Sequence, residues 1–149
     1  MKRTYYLAYG MNTNIQSMNL RCPDAVRLGT VNLPCHKLQF KYFCDAVYDV
    51  NSIMECTLWS ITEQCERSLD RLEGYPDFYC KKEVSVEWKG KTIKAMIYFM
   101  PPGNDLDFPS ESYFSCVTQG YAENKMSLDS IYTALDDVVK EHKSVYSMG

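Results

Sequence analysis

Glu73 is the residue of this sequence whose type and position best suit acid–base chemistry. It directly precedes Gly74, with Pro76 close behind, and this order is typical of a helix C-terminus. The last turn of a helix carries the negative end of the helix dipole, which disfavours a carboxylate. With partial burial acting in the same direction, we predict a raised pKa and a carboxyl group that takes and returns a proton near neutral pH. A solvated glutamate on a frayed turn remains the alternative.

A second candidate is the turn after the first predicted strand. Residues 4–9 alternate and are rich in aromatic side chains, Gly10 interrupts them, and residues 11–14 lead into a short helical stretch through Leu20. Main-chain N–H groups gather at a strand–turn–helix junction of this kind and suit an anion. A plain turn capped by Asn12 or Asn14 is the alternative.

The helix that positions Glu73 is predicted to begin after a strand ending at residues 58–61. Ser60, with Glu63 three residues later, matches a capping box, which marks a helix N-terminus. One apolar stripe then faces the core, formed by Cys65, Leu69 and Leu72. The helix should therefore end at or near Glu73.

The remaining pattern predicts strands first and helices last. Extended segments are expected at 26–33 with a bulge at Gly29, at 38–42, 46–48, 54–61, 79–88 and 92–100. Turns are expected at 49–52 and at Lys89–Gly90, and a long loop at 101–109. Ser110 should cap a helix to Gln119 with Gly120 after it, and Ser127 should cap a second helix. This order indicates an α+β fold with a mostly antiparallel, curled sheet.

Composition restricts the class of protein. A chain of 149 residues, 46% hydrophobic and 23% charged, is typical of one globular domain, here residues 1–149. No apolar stretch is long enough for a membrane span, and no secretory signal is recognisable at the N-terminus. The net charge of −3 without a basic cluster argues against nucleic acid or a membrane surface as partner.

The seven cysteines are odd in number, widely spaced and without a Cys-x-x-Cys pair. We interpret them as reduced core residues of a cytoplasmic protein. A zinc site would need paired ligands, but His36 and His142, the two histidines, form no such pair with a cysteine. No metal is therefore predicted.

The chain resembles the γ-glutamylcyclotransferase-like family, which includes γ-glutamylamine and butirosin-type cyclotransferases. The resemblance rests on four segments in the same order: Tyr9-Gly10-Met11-Asn12, Leu58-Trp59, residues 69–76 followed by Tyr79, and Pro109-Ser110 before Tyr113. It implies a small, partly closed β-barrel flanked by helices. It also implies that Glu73 is the acid–base residue and that the main chain of residues 9–12 binds substrate in a pocket lined by Tyr79 and Tyr113.

The resemblance implies an intramolecular cyclisation of the lyase or acyltransferase type, without a cofactor. The α-amino group of a γ-glutamyl compound attacks its own γ-carbonyl, forming 5-oxoproline and releasing an amine. One departure concerns Met11, where the family usually has serine. Main-chain binding would tolerate this change, whereas a required serine hydroxyl would mean an altered activity or substrate.

The sequence does not decide which amine departs, nor whether the protein is an enzyme or a binding protein. Candidate substrates are γ-glutamyl amino acids, glutathione, γ-glutamyl amines such as the lysine isopeptide, and γ-glutamyl-protected biosynthetic intermediates. Residues 103–109 are predicted to contact the leaving group. The other possibility is a catalytically silent relative that binds a small ligand or a protein partner through the same pocket. The oligomeric state is left open.

Overall fold

A computed structural model describes residues 2–148, with side chains through residue 143. The ends of the predicted domain, Met1 and Gly149, lie outside the described residues. The strands are β1 (Arg3–Ala8), β2 (Val26–Lys41), β3 (Phe43–Thr62), β4 (Cys80–Trp88) and β5 (Lys91–Phe99). The α-helices are α1 (Ile15–Arg21), α2 (Glu63–Glu73), α3 (Glu111–Glu123) and α4 (Asp129–Met148), and a 3-10 turn spans Met11–Thr13.

The strands form one sheet in the order β2-β3-β1-β5-β4. All neighbours are antiparallel except β1 and β5, which run parallel. The edge strands β2 and β4 approach each other at two places: Lys82 Nζ lies 3.0 Å from His36 Nε2, and Trp88 covers Gly29 so closely that a Cβ there would be 2.8 Å from the ring. The predicted α+β fold is confirmed, and its sheet is curled but not closed.

The hydrophobic core lies on both sides of β1 and β3. Because side chains alternate along a strand, Leu7 and Leu58 join the cluster beneath α3 and α4, whereas Tyr6 and Trp59 join the cluster beneath α1 and α2. The end of β1 therefore receives side chains from both clusters.

Helix α2 ends as predicted but begins later. Gly74 adopts φ 65°, the left-handed conformation that stops a helix. The N-cap is Thr62, whose Oγ1 accepts a hydrogen bond from Cys65 N at 3.1 Å. The prediction of Ser60 was wrong because β3 continues to pair with β1 through this residue, and the Ser60 hydroxyl accepts a hydrogen bond from Arg3 Nε at 2.8 Å.

Two predicted boundaries were also wrong. Residues 49–52 lie within β3, where they bulge out of the ladder with β2, and the chain reverses instead at Tyr42, with φ 69°. Helix α3 does not stop before Gly120. It passes through this residue and brings it against the main chain of Thr13 and Asn14. The predicted hairpin at Lys89–Gly90 is confirmed.

The cysteines do not all remain reduced. Cys22 and Cys65 form a disulfide, with 2.22 Å between the sulfur atoms, that joins the end of α1 to the first turn of α2. Their separation of 43 residues gave no sequence signal for pairing. The other five cysteines are free. Within the described part of the chain, no helix is long and apolar enough to cross a membrane, and no cluster of metal-ligating side chains occurs.

Candidate active site

A cavity of about 170 Å³ opens where β1 ends, β3 begins and α2 stops. All seven residues predicted for the site line it: Tyr9, Gly10, Met11, Asn12, Glu73, Tyr79 and Tyr113. Residues from distant parts of the sequence therefore converge, as required for a binding pocket.

The floor of the cavity begins with the turn at Gly10. A Cβ at this position would lie 3.0 Å from Cys44 Cβ and 3.1 Å from Tyr113 Oη, so a glycine lets the turn pass beneath these groups. Met11 and Asn12 open the 3-10 turn, and the first residues of a helical turn have no intrahelical acceptor for their N–H groups. Asn14 caps α1 through Ser17 N at 3.1 Å. The predicted junction of strand, turn and helix is confirmed, whereas its ligand stays a prediction.

Asn12 is held by two hydrogen bonds. Its carbonyl oxygen accepts a hydrogen bond from Trp59 Nε1 at 3.0 Å, and its Nδ2 donates to Tyr6 Oη at 3.0 Å. Its Oδ1 is buried and has no hydrogen-bond partner among the described residues. The residue is therefore part of the rigid polar floor and is not a solvent-facing cap.

The Glu73 carboxyl group lies in the cavity at the end of α2. Burial raises its pKa from 4.5 to about 7, and the positive charge of Arg21 opposes part of this rise. Main-chain hydrogen bonds close the helix end, from Gly74 N to Arg71 O at 3.3 Å and from Tyr75 N to Asp70 O at 2.9 Å. The last turn is therefore not frayed, and the half-buried carboxyl group is able to exchange a proton near neutral pH.

Tyr79 and Tyr113 hold the main chain of Cys44. Tyr79 Oη donates to Cys44 O at 2.6 Å, and Cys44 N donates to Tyr113 Oη at 3.1 Å. Burial raises the pKa of both phenols, so each stays protonated at neutral pH. Burial likewise raises the pKa of the Cys44 thiol to about 12, which makes it an unreactive wall residue.

Several lining residues were missed by the sequence analysis. Tyr6 is the most informative: burial and the charge of Glu73 raise its pKa, which places its phenol in the electrostatic environment of that carboxylate. A spacing of three residues places Tyr6 and Tyr9 on opposite faces of a strand, so the sequence pattern does not indicate that both line one cavity. The others are Leu7, Phe43, Cys44, Leu72, Phe78 and Tyr98. Their convergence depends on the strand order, which the sequence does not encode locally.

The cavity gives no support to the predicted contact between residues 103–109 and the leaving group. None of these residues lines the cavity. The loop instead supports the β2–β3 turn, through Asp107 N to Phe40 O at 3.0 Å and Tyr42 N to Asp107 O at 3.2 Å. Leu72 was predicted to face the core but is 42% exposed at the cavity mouth.

Removal of the Arg21 charge should raise the pKa of Glu73 further. Arg21 stabilises the ionised carboxylate, so Arg21→Gln favours the protonated form and should move the pKa above about 7. An NMR titration of the Glu73 carboxyl carbon measures this directly. Arg21→Lys keeps the charge and should keep the pKa close to that of the parent protein. An unchanged pKa in Arg21→Gln would contradict the electrostatic coupling.

Solved structures of other proteins share the fold of this chain. One, described as a gamma-glutamyl cyclotransferase, has a TM-score of 0.78 and 24% identity, and the match covers 86% of this chain and 83% of the other. A Homo sapiens structure, described as uncharacterized protein loc79017, has a TM-score of 0.77 and 24% identity, and the match covers 87% and 84%. The fold is therefore that of the gamma-glutamyl cyclotransferases.

The family model for gamma-glutamyl cyclotransferase, AIG2-like, matches residues 6–115, a range that includes all seven predicted site residues. The chain belongs to this family. A curated relative, the putative gamma-glutamylcyclotransferase MJ1514 of Methanocaldococcus jannaschii, is 40% identical over 45 residues. That match spans 30% of this chain and 38% of the relative.

Proposed function

We propose that this protein is an enzyme that cyclises a γ-glutamyl compound to 5-oxoproline and releases an amine or amino acid, with Glu73 as acid–base residue. The observation that carries the proposal is the burial of Glu73 in the cavity, which raises its pKa to about 7. Family membership supports the same reaction class. A protein that only binds a ligand has no need for such a carboxyl group, so the binding-only alternative is not favoured.

The reaction needs a base because the α-amino group of the substrate is mostly protonated at neutral pH. Glu73 removes this proton, and the amine nitrogen forms a bond to the γ-carbonyl carbon. The attacking nitrogen must lose a second proton to become the lactam N–H. As the bond from the γ-carbon to the leaving nitrogen breaks, Glu73 passes one of the two protons to that nitrogen, so that a neutral amine departs, and the other proton is released to solvent. Glu73 ends the cycle ionised, and no oxidant or reductant enters the balance.

The turn after β1 is proposed to bind the substrate's polar groups. Developing negative charge on the γ-carbonyl oxygen needs donors that are already in place, and the N–H groups of Met11 and Asn12 meet this need. These donors belong to the main chain, so methionine in place of the family serine leaves them intact. Tyr79 and Tyr113 are proposed to line the site and to fix its shape through Cys44.

The test is incubation of the purified protein with γ-glutamyl amino acids, γ-glutamyl amines and glutathione, followed by mass spectrometry of 5-oxoproline. We expect product from at least one compound, with a kcat/KM that rises with pH through an apparent pKa of about 7, because the base must be ionised. No product from any member of the panel would overturn the proposal.

A cytoplasmic location is also proposed. Five free thiols support it, since reducing compartments preserve thiols, whereas the Cys22–Cys65 disulfide argues for oxidising conditions. Alkylation of thiols at the moment of cell lysis, followed by mass spectrometry, shows whether Cys22 and Cys65 are thiols or a disulfide in the cell. Unmodified Cys22 and Cys65 in protein from the cytoplasm would show that the bond forms there.

A further inference from the structure

The mouth of the cavity differs in chemistry from its floor. The floor contains the buried polar residues Asn12 and Tyr6, each 4% exposed, beside Glu73. The mouth is formed by Phe43, Leu72 and Phe78, which we call the apolar collar. Leu72 and Phe78 remain 42% and 44% exposed, although both are large and hydrophobic. Exposed apolar groups around a concave site indicate that an apolar ligand covers them.

The collar is a connected surface. The rings of Phe43 and Phe78 lie 6.0 Å apart at 88°, and those of Phe43 and Tyr113 lie 5.3 Å apart at 74°, both edge-to-face arrangements. Phe78 in turn packs against Tyr79 at 5.2 Å. The collar is therefore continuous with Tyr79 and Tyr113, which line the same cavity as Glu73.

Among the described residues that line the cavity none is cationic, and Glu73 is the only one with a formal charge. On neighbouring elements, Lys41 is paired with the buried Asp45 at 2.6 Å, and Lys81 is paired with Glu66 at 2.7 Å and Asp70 at 2.9 Å. Arg21 donates to Ser17 O and to the Met11 sulfur, and its charge acts on Glu73, but it does not line the cavity. A carboxylate on the departing amine would lose hydration against the collar, and no described lining residue would offer it an ionic partner.

We propose that the amine released by this protein is apolar and uncharged apart from its own nitrogen, an aliphatic or aromatic amine seated on the apolar collar. This inference rests on the proposed function. The α-amine and α-carboxylate of the γ-glutamyl group are polar and must bind at the polar floor beside Glu73. The departing amine, on the other side of the amide bond, therefore lies at the mouth of the cavity. Amides whose departing part carries a carboxylate, such as glutathione, or an extra ammonium, such as the lysine isopeptide, do not match this surface.

The experiment compares kcat/KM for 5-oxoproline formation from five γ-glutamyl compounds that differ only in the departing amine. They are the phenethylamide, the methylamide, the phenylalanine conjugate, the ε-lysine isopeptide and glutathione. We expect the phenethylamide to exceed each of the others by roughly tenfold or more, because an apolar pocket discriminates on this scale. The phenylalanine conjugate tests the carboxylate alone. The lysine conjugate tests whether the rings instead bind a cation.

The outcomes separate the two proposals. No 5-oxoproline from any of the five compounds would overturn the proposed function. Turnover that is equal for the phenethylamide and the phenylalanine conjugate, or greater for glutathione or the lysine conjugate, would overturn the apolar leaving group while leaving the cyclisation established.

A matched pair of variants locates the effect. Phe78→Ala should lower kcat/KM for the phenethylamide roughly tenfold and change that for the methylamide little. Phe108→Ala removes a phenylalanine of similar exposure, 40%, which contacts His142 and does not line the cavity, so neither substrate should be affected. Phe78→Leu should restore most of the loss. Equal losses for both substrates in Phe78→Ala would assign this side chain a purely structural role and contradict the collar as a specificity surface.

Discussion

Glu73→Gln is expected to lose at least about 100-fold and up to 10,000-fold in kcat, the range in which general acid–base catalysis contributes. Glutamine keeps the size of the side chain but neither takes nor returns a proton. The substrate would still bind the turn at Met11 and Asn12, so KM should change much less than kcat. The measurement is 5-oxoproline formation at saturating substrate.

The same variant should be more stable than the parent protein above pH 7. The folded-state pKa of Glu73 is raised from 4.5 to about 7, so the unfolded chain ionises first. Ionisation therefore favours unfolding, and the penalty is absent below pH 4.5, grows between 4.5 and 7 and is complete above that range. Its size is at most about 3 kcal/mol for a shift of this extent. Urea denaturation should show a clearly larger gain for Glu73→Gln at pH 8 than at pH 5.

Glu63→Gln is the matched control on the same helix. Glu63 is exposed in the first turn of α2, where a negative charge favours the positive end of the helix dipole. Its removal should leave turnover unchanged and lower stability at pH 8 by a few tenths of a kcal/mol. If Glu73→Gln raises the stability at pH 8 and Glu63→Gln lowers it, the charge of Glu73 destabilises the folded protein, whereas the charge of Glu63 stabilises it. Retained turnover in Glu73→Gln would contradict its role as the base.

The sequence predicted the parts of the site that depend on local chemistry. Gly74 and Pro76 specify where α2 stops, and this places Glu73 at the helix end without any knowledge of the sheet. Gly10 marks the turn, and a Cβ at this position would make tight contacts with Cys44 and Tyr113. The family resemblance added the pairing of these two local features in one pocket.

Features that depend on strand order were not predictable in the same way. The phenol of Tyr98 reaches Asp70 at 2.6 Å because β5 lies beside β1, a parallel pairing with no local signal. Leu72 matched the apolar stripe of α2, yet it lines the cavity and is 42% exposed. The pKa of Glu73 is raised, as predicted, but the cause is burial, a tertiary property, whereas the contribution of the helix dipole stays a prediction.

Gly120 shows how a local rule gives the wrong answer for a tertiary reason. Glycine after a predicted helix favours a C-cap, but here it lies inside α3, where a Cβ would be 2.7 Å from Asn14 N and would also collide with the Thr13 side chain. The close approach allows hydrogen bonds between α3 and the turn. Asn124, at the end of α3, donates to Thr13 O at 2.7 Å, and Asn14 Nδ2 donates to Cys116 O at 3.1 Å. Helix α3 thus fixes the turn that contains Met11 and Asn12.

Gly120→Ala is therefore expected to destabilise the protein by about 1–3 kcal/mol, the usual cost of overpacking. In a helix interior free of such contacts the same substitution stabilises by nearly 1 kcal/mol, so the sign distinguishes tertiary packing from helix propensity. Ser115→Ala, at an exposed position of α3, is the control and should not destabilise. Because the collision falls on the 3-10 turn and not on Glu73, kcat/KM should fall while the NMR-measured pKa of Glu73 stays near 7. Increased stability of Gly120→Ala would show that α3 moves freely away from the turn, and the turn would then owe its geometry to Trp59 and Tyr6 alone.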